Sequence, residues 1–129
     1  MKQSLWAAFY FRTTMPDVET IQSICLSLRA VTEDIKWGND LVFSVGSKMF
    51  CVIGLEPPFR CSFKVKDEEF EELSIRDGFI PAPYMARAKW VAVNDKARLS
   101  KKDWEAYIRQ SYELVKAKLT KKTKEELGI

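Results

Sequence analysis

The sequence contains no histidine among its 129 residues. This absence excludes zinc sites with histidine ligands, Ser-His-Asp and Cys-His nucleophile pairs, and acid–base catalysis by imidazole. The acidic run at 67–72 (DEEFEE) lacks the spacing of an EF-hand calcium loop, so it does not predict a metal site. We therefore expect a protein that is not an enzyme and that has no cofactor.

Cysteine and long apolar runs are also scarce. The three cysteines, Cys25, Cys51 and Cys61, contain no C-x-x-C pair, which favours reduced, buried thiols in a cytoplasmic protein. The apolar stretch at 5–11 (LWAAFYF) is much shorter than the ~18–20 residues that span a bilayer. The sequence therefore predicts no membrane association.

The overall composition is that of a soluble folded chain. Hydrophobic residues make up 47% and charged residues 30%, and the formal net charge is +3. This charge is too small to identify a polyanionic partner.

Residues 15–129 are predicted to form one domain. Residues 1–14 are interpreted as an appendage, and three origins are compatible with it: an extra strand, a misplaced start site or vector sequence.

Alternating apolar residues and turn signals predict an α+β fold with an antiparallel sheet of about five strands. Helices are expected to begin near Asp17, Asp67 and Ser100, where a short polar side chain precedes an apolar stripe. Gly46-Ser47 predicts a two-residue type II′ hairpin turn. The strands are expected at 31–37, 41–45, 48–55, 59–66 and 89–93.

Simple hairpin pairing places position 43 opposite 50, and 50 opposite 63. One sheet face then collects Phe43, Val45, Phe50, Val52, Cys61 and Phe63 as a core. The other face collects Val42, Met49, Cys51 and Ile53 beside Arg60 and Lys64. A register shift of one residue would exchange these faces. A helix that covers the second face is the simpler structural alternative to a binding surface.

Two sets of candidate functional residues follow from this arrangement and from the proline-rich segment at 81–90, where cations and aromatic residues are interleaved. The leading prediction is contact with the phosphate backbone of double-stranded DNA through cations, and the candidates are Lys48, Arg60, Lys64, Arg87 and Lys89. The alternative is a small ligand, which apolar and aromatic side chains suit, and the candidates are Met49, Cys51, Ile53, Tyr84 and Trp90. A purely solubilising role at a sheet edge is equally compatible with Arg87 and Lys89, whereas a role in the core is favoured for Trp90. A protein-interaction adaptor that uses the stretch at 5–11 is a third hypothesis.

The order of motifs resembles the MmcQ/YjbR family of small bacterial proteins over about 15–127. The matching segments are CLSL (25–28), VTED (31–34), WG (37–38), VGSKMF (45–50), SFK (62–64), EEFEEL (68–73), PAPY (81–84), KWV (89–91), SYELV (111–115) and LTKK (119–122). This resemblance implies a CyaY-like or double-wing fold, in which helices pack against an antiparallel sheet. Family members are commonly labelled DNA-binding. Many relatives carry histidine before the tryptophan, where this chain has Lys89, and lysine would preserve a phosphate contact.

Overall fold

A computed structural model describes residues 16–129 of the chain. The predicted appendage at 1–14 lies outside the described residues. Four α-helices and six strands form the described part: α1 (Pro16–Leu26), β1 (Val31–Lys36), β2 (Asp40–Val45), β3 (Lys48–Gly54), β4 (Arg60–Lys64), α2 (Asp67–Ser74), β5 (Phe79–Pro81), β6 (Trp90–Val93), α3 (Lys101–Lys116) and α4 (Lys121–Leu127). Short 3-10 helices lie at Ala86–Ala88 and Lys96–Arg98.

The six strands form one antiparallel sheet in the order β1-β2-β3-β4-β6-β5. The predicted α+β class is confirmed. The sheet has one strand more than the expected five, because Phe79–Pro81, at the start of the proline-rich segment, forms β5 and pairs with β6. No helix between residues 16 and 129 is long and apolar enough to cross a membrane.

The helices pack on one face of the sheet and bury the main core. Phe43, Phe50 and Phe63 from the sheet meet Trp104 and Ile108 of α3 in this core. The capping prediction at the start of α3 is confirmed, because the backbone N–H of Asp103 donates to Ser100 Oγ at 3.1 Å. Helix α3 ends at Lys116, and Thr120 caps a separate helix, α4.

The hairpin at Gly46-Ser47 has its predicted two-residue length, since Val45 pairs with Lys48. Its turn is type I′ rather than type II′, because both central residues have positive φ, 58° and 67°. Beyond the turn, Ser44 pairs with Met49 but Phe43 pairs with Cys51. Phe50 is therefore the extra residue of a β-bulge.

This bulge overturns the predicted register of the inner strands. Position 43 faces 51 rather than 50, and 51 faces 63. Because one extra residue exchanges the two faces of a strand, Cys51 and Ile53 point into the main core with no exposed surface. Val52, predicted in the core, lies on the opposite face. The prediction that Cys51 and Ile53 share a face with Met49 is therefore wrong.

Candidate functional site

A groove lies on the sheet face opposite the four helices. Its volume is about 670 Å³, within the usual ~300–1,000 Å³ of small-molecule sites. Strands β2, β3, β4 and β6 form its floor, and the loops at 55–59 and 82–85 form its walls. Among the described residues no helix covers this face, so the predicted helical cover is absent from that part of the chain.

The floor of the groove is a small apolar cluster. Trp90 and Ala82 are 3% and 2% exposed, and Met49, Val52 and Met85 pack against them while they remain partly accessible. An apolar ligand that covers apolar atoms at the base of a concave surface removes them from water, which contributes favourable free energy to binding. The floor can therefore bind a flat hydrocarbon or aromatic surface.

Two exposed aromatic side chains stand at the rim. Trp37 is 68% exposed and Tyr84 is fully exposed. Both have left-handed backbone conformations, with φ of 53° and 66°. Non-glycine residues in this region cost about 1–2 kcal/mol each and tend to occur at functional sites. Large apolar side chains that face water beside a concave surface are typical of a site that contacts a partner.

Five polar side chains also line the groove: those of Asn39, Asp40, Glu56, Arg60 and Ser62. Within residues 16–129 none of them makes a side-chain hydrogen bond or an ion pair. As far as the described part of the chain is concerned, their donors and acceptors are free to bind a ligand. A few such groups around an apolar floor determine orientation and specificity in small-molecule sites.

The predicted small-ligand residues divide into two groups. Met49, Tyr84 and Trp90 line the groove together. Cys51 and Ile53 are buried on the other side of the sheet, because the bulge at Phe50 turns their side chains toward the main core. Burial raises the pKa of the Cys51 thiol; the hydrogen bond with Cys25 acts in the opposite direction, and the one with Cys61 raises the pKa further. Cys51 is therefore an unreactive core residue.

A basic cluster occupies the far end of the same sheet. We call Lys48, Lys64, Lys89 and Lys118 the basic end. Lys48 begins β3 and Lys64 ends the antiparallel β4, so these two lie at the same end of the sheet. Lys89 immediately precedes β6, where Trp90 pairs with Lys64. Lys118 follows α3, and its charge acts on Lys64.

Lys64 is the most constrained member of the basic end. Its Nζ donates to the carbonyl oxygen of Ala88, and its pKa is lowered from the ordinary lysine value. Desolvation is the largest cause, followed by the like charge of Lys118, while Asp67 acts in the opposite direction. Lys89 Nζ lies 5.1 Å from the centre of the Phe70 ring, a cation–π contact.

The five predicted DNA-contact residues do not form one patch. Lys48, Lys64 and Lys89 belong to the basic end. Arg60 begins β4, about 13 Å from Lys64 along the strand, and lines the groove instead. Arg87 is exposed on the 3-10 helix of the 82–90 loop.

Sequence reasoning missed several groove residues. Trp37 was interpreted as the end of a half-buried strand, and Asp40 and Gly54 were not singled out at all. A single Asp at the start of a strand belongs to no recognisable motif. Its position across Gly54 from Arg60 follows only from the correct register of three strands.

The acidic residues of α2 do not assemble a metal site, since no group of three candidate ligands occurs among the described residues.

The fold and the groove define a small α+β protein with an accessible concave sheet face. The model of the YjbR family matches residues 26–114, and the chain belongs to that family. A crystal structure of a protein from Pseudomonas syringae is similar, with a TM-score of 0.56 and 17% identity over 88% of this chain and 99% of that one. At this identity the likeness shows the fold alone. No curated protein matches the chain.

Proposed function

We propose that the protein is a cytoplasmic, non-enzymatic binding protein whose groove takes a small planar organic ligand. The groove itself is the observation that carries the proposal: an apolar floor, two exposed aromatic residues and five polar side chains without partners in the described chain. Three buried, unpaired cysteines support a reducing compartment.

The test uses the fluorescent probe 1-anilinonaphthalene-8-sulfonate, a planar apolar anion. We expect saturable binding to the native protein, with NMR shift changes confined to the groove lining. Trp37→Ala and Tyr84→Ala should each weaken binding several-fold without loss of stability, because both side chains are largely exposed. Ile75→Ala is the matched control, since Ile75 is 87% exposed and does not line the groove. Absence of binding, or equal loss in the control, would overturn the proposal.

A second candidate function is contact with the phosphate backbone of duplex DNA. The observation that favours it is the convergence of Lys64, Lys89 and Lys118, whose mutual repulsion a polyanion would relieve. Asp67 is also close to Lys64, so we expect weak binding.

Fluorescence anisotropy with duplex DNA at several salt concentrations tests this second candidate. If Lys48 and Lys89 each contact a phosphate, the Lys48→Gln/Lys89→Gln variant should reduce the slope of log affinity against log salt by about 1.8. Lys101→Gln/Lys102→Gln, which removes the same charge at the start of α3, should leave this slope unchanged. Equal effects of the two double variants would show non-specific attraction and dismiss the basic end as a DNA site.

A further inference from the structure

Three residues on adjacent strands form one row at the end of the groove that lies away from the basic end of the sheet. Asp40 of β2 pairs with Gly54 of β3, and Gly54 pairs with Arg60 of β4. Neighbouring strands are about 4.8 Å apart, so the backbones of Asp40 and Arg60 are separated by about 10 Å. The two opposite charges thus face each other across a glycine.

Gly54 leaves the space between the two charges open. A Cβ built at Gly54 would lie 3.9 Å from Oδ1 of Asp40 and 4.0 Å from Cβ of Arg60. The carboxylate therefore reaches toward the glycine, and bare backbone forms the floor between the charges. A side chain at position 54 would occupy the space that a ligand needs.

The two charges do not neutralise each other directly. Within the described chain neither Asp40 nor Arg60 takes part in an ion pair or a side-chain hydrogen bond. Lys36 lies opposite Asp40 on β1, but it does not line the groove and forms no ion pair with Asp40. The row therefore offers a ligand in the groove one hydrogen-bond acceptor, the Asp40 carboxylate, and one donor, the Arg60 guanidinium.

The apolar floor begins one step further along the same strands. Val52 lies two residues from Gly54 and pairs with Ser62, and Met49 and Trp90 continue the apolar surface. A ligand that contacts both the charged row and the apolar floor needs a head group with one positive and one negative charge, and an apolar tail. This combination is the chemistry of an amino acid with a large apolar side chain.

We propose that the row Asp40–Gly54–Arg60 binds the zwitterionic head of an amino-acid ligand, with its ammonium on Asp40 and its carboxylate on Arg60. The ammonium nitrogen and carboxylate carbon of an amino acid are about 2.5 Å apart. Two charge-assisted hydrogen bonds of about 2.8 Å extend this to about 8–9 Å between a carboxylate oxygen of Asp40 and a guanidinium nitrogen of Arg60, a separation that the long, exposed Arg60 side chain can adopt across Gly54. The tail then lies over Val52, Met49 and Trp90. This inference rests on the proposed small-ligand function of the groove.

Three matched indole compounds test the head group: L-tryptophan with both charges, tryptamine with only the cation, and indole-3-propionate with only the anion. Calorimetry or NMR titration of the wild type should show L-tryptophan binding at least about tenfold more tightly than either analogue, since each loses one charge-assisted contact. The wild-type comparison requires no altered protein.

Variants then assign each charge to its partner. Asp40→Asn should weaken the binding of L-tryptophan and tryptamine about tenfold and leave that of indole-3-propionate unchanged. Arg60→Gln should weaken the binding of L-tryptophan and indole-3-propionate about tenfold and leave that of tryptamine unchanged. Gly54→Val keeps both charges but fills the gap, and it should abolish the preference for L-tryptophan. Lys36→Gln is the control in the same row, with L-tryptophan binding expected within twofold of wild type.

The outcomes separate this inference from the proposal on which it rests. Equal binding of the three indoles, or no binding of any of them while the anilinonaphthalene probe still binds in the groove, would overturn the zwitterion inference alone. Failure of the anilinonaphthalene probe together with all three indoles would overturn both. The crossed pattern of Asp40→Asn and Arg60→Gln would establish the inference.

Discussion

The hydroxyl of Ser111 donates a hydrogen bond of 2.6 Å to the carbonyl oxygen of Phe50, the extra residue of the β3 bulge. The same hydroxyl oxygen accepts from the backbone N–H of Lys64 at 2.9 Å. Ser111 is fully buried in α3, so it satisfies two backbone groups that the sheet leaves unpaired beside the bulge. This contact supports the bulge that directs Cys51 into the core and Val52 into the groove.

Ser111→Ala should destabilise the protein by about 1–3 kcal/mol, because it leaves a buried carbonyl and a buried N–H without partners. Urea unfolding measures the change. Ser23→Ala on the exposed face of α1 is the control and should change stability by less than about 0.5 kcal/mol. A cost for Ser111→Ala no larger than that of the control would show that the hydroxyl does not support the bulge.

The bulge also shows what could be predicted from the sequence. Alternation and the turn signals, Gly46-Ser47 above all, were sufficient for the sheet, the hairpin length and the strand order from β2 to β4, since these are local signals. Phe50 carries no local bulge signal, and its stabilising partner lies 61 residues away. The register beyond Ser44, and with it the placement of Cys51 and Ile53, was therefore not accessible from local patterns.

The candidate site was only partly predictable for the same reason. Tyr84 and Trp90 stood out because cations and aromatic residues are interleaved in the proline-rich segment at 81–90. The alternation at 31–37 predicted a half-buried strand that ends at Trp37, but the residues of edge strand β1 after Val31 are exposed and Trp37 is 68% exposed, so that prediction is wrong. Asp40, Gly54 and Arg60 meet only through the register of three strands.

Lys118→Gln should raise the pKa of Lys64 toward its ordinary value. The like charge of Lys118 is the second largest cause of the lowered pKa, after desolvation. NMR titration of the lysine 13Cε resonances measures the change. Lys102→Gln is the control, because Lys102 is not among the charges that act on Lys64. An unchanged Lys64 titration in Lys118→Gln would contradict the proposed electrostatic convergence at the basic end.

The lowered pKa of Lys64 also predicts a pH dependence of stability. The unfolded chain binds a proton to this group more tightly than the folded one, so the contribution of Lys64 to stability should rise with pH between the lowered pKa and 10.5. The rise should be smaller in Lys118→Gln. Urea unfolding of both proteins from pH 8 to 10.5 measures it, and an equal or larger rise in the variant would reject this explanation.

The three native thiols should resist modification. Burial raises the pKa of Cys25 and of Cys51 above the ordinary value of 9.0, and the thiolate is the reactive form. Ellman's reagent at pH 8 should react slowly with the native protein and with all three thiols after unfolding. Ser23→Cys, which adds an exposed thiol to α1, should give one rapid equivalent. Rapid labelling of the unmodified protein would show that this part of the core opens readily.

Gly46→Ala should destabilise the protein through two separable effects. Its φ of 58° is left-handed, and a Cβ there would lie 2.8 Å from both Cδ atoms of Leu119, which belongs to the turn between α3 and α4. Gly38→Ala is the matched control, since Gly38 also has positive φ, 88°, but nothing within 4 Å. The control should show only the backbone cost of about 1–2 kcal/mol, and Gly46→Ala should exceed it by about 1–3 kcal/mol from overpacking.

A double-mutant cycle isolates the contact between the hairpin turn and the C-terminal helices. Leu119→Val shortens the side chain that would collide, so the penalty of Gly46→Ala should be smaller in the Leu119→Val background by about 0.5–3 kcal/mol. The penalty of Gly38→Ala should be the same in both backgrounds. Urea unfolding of the six proteins gives these differences. If the Gly46→Ala penalty is the same in both backgrounds, it arises from the backbone alone, and Leu119 does not restrict position 46 to glycine.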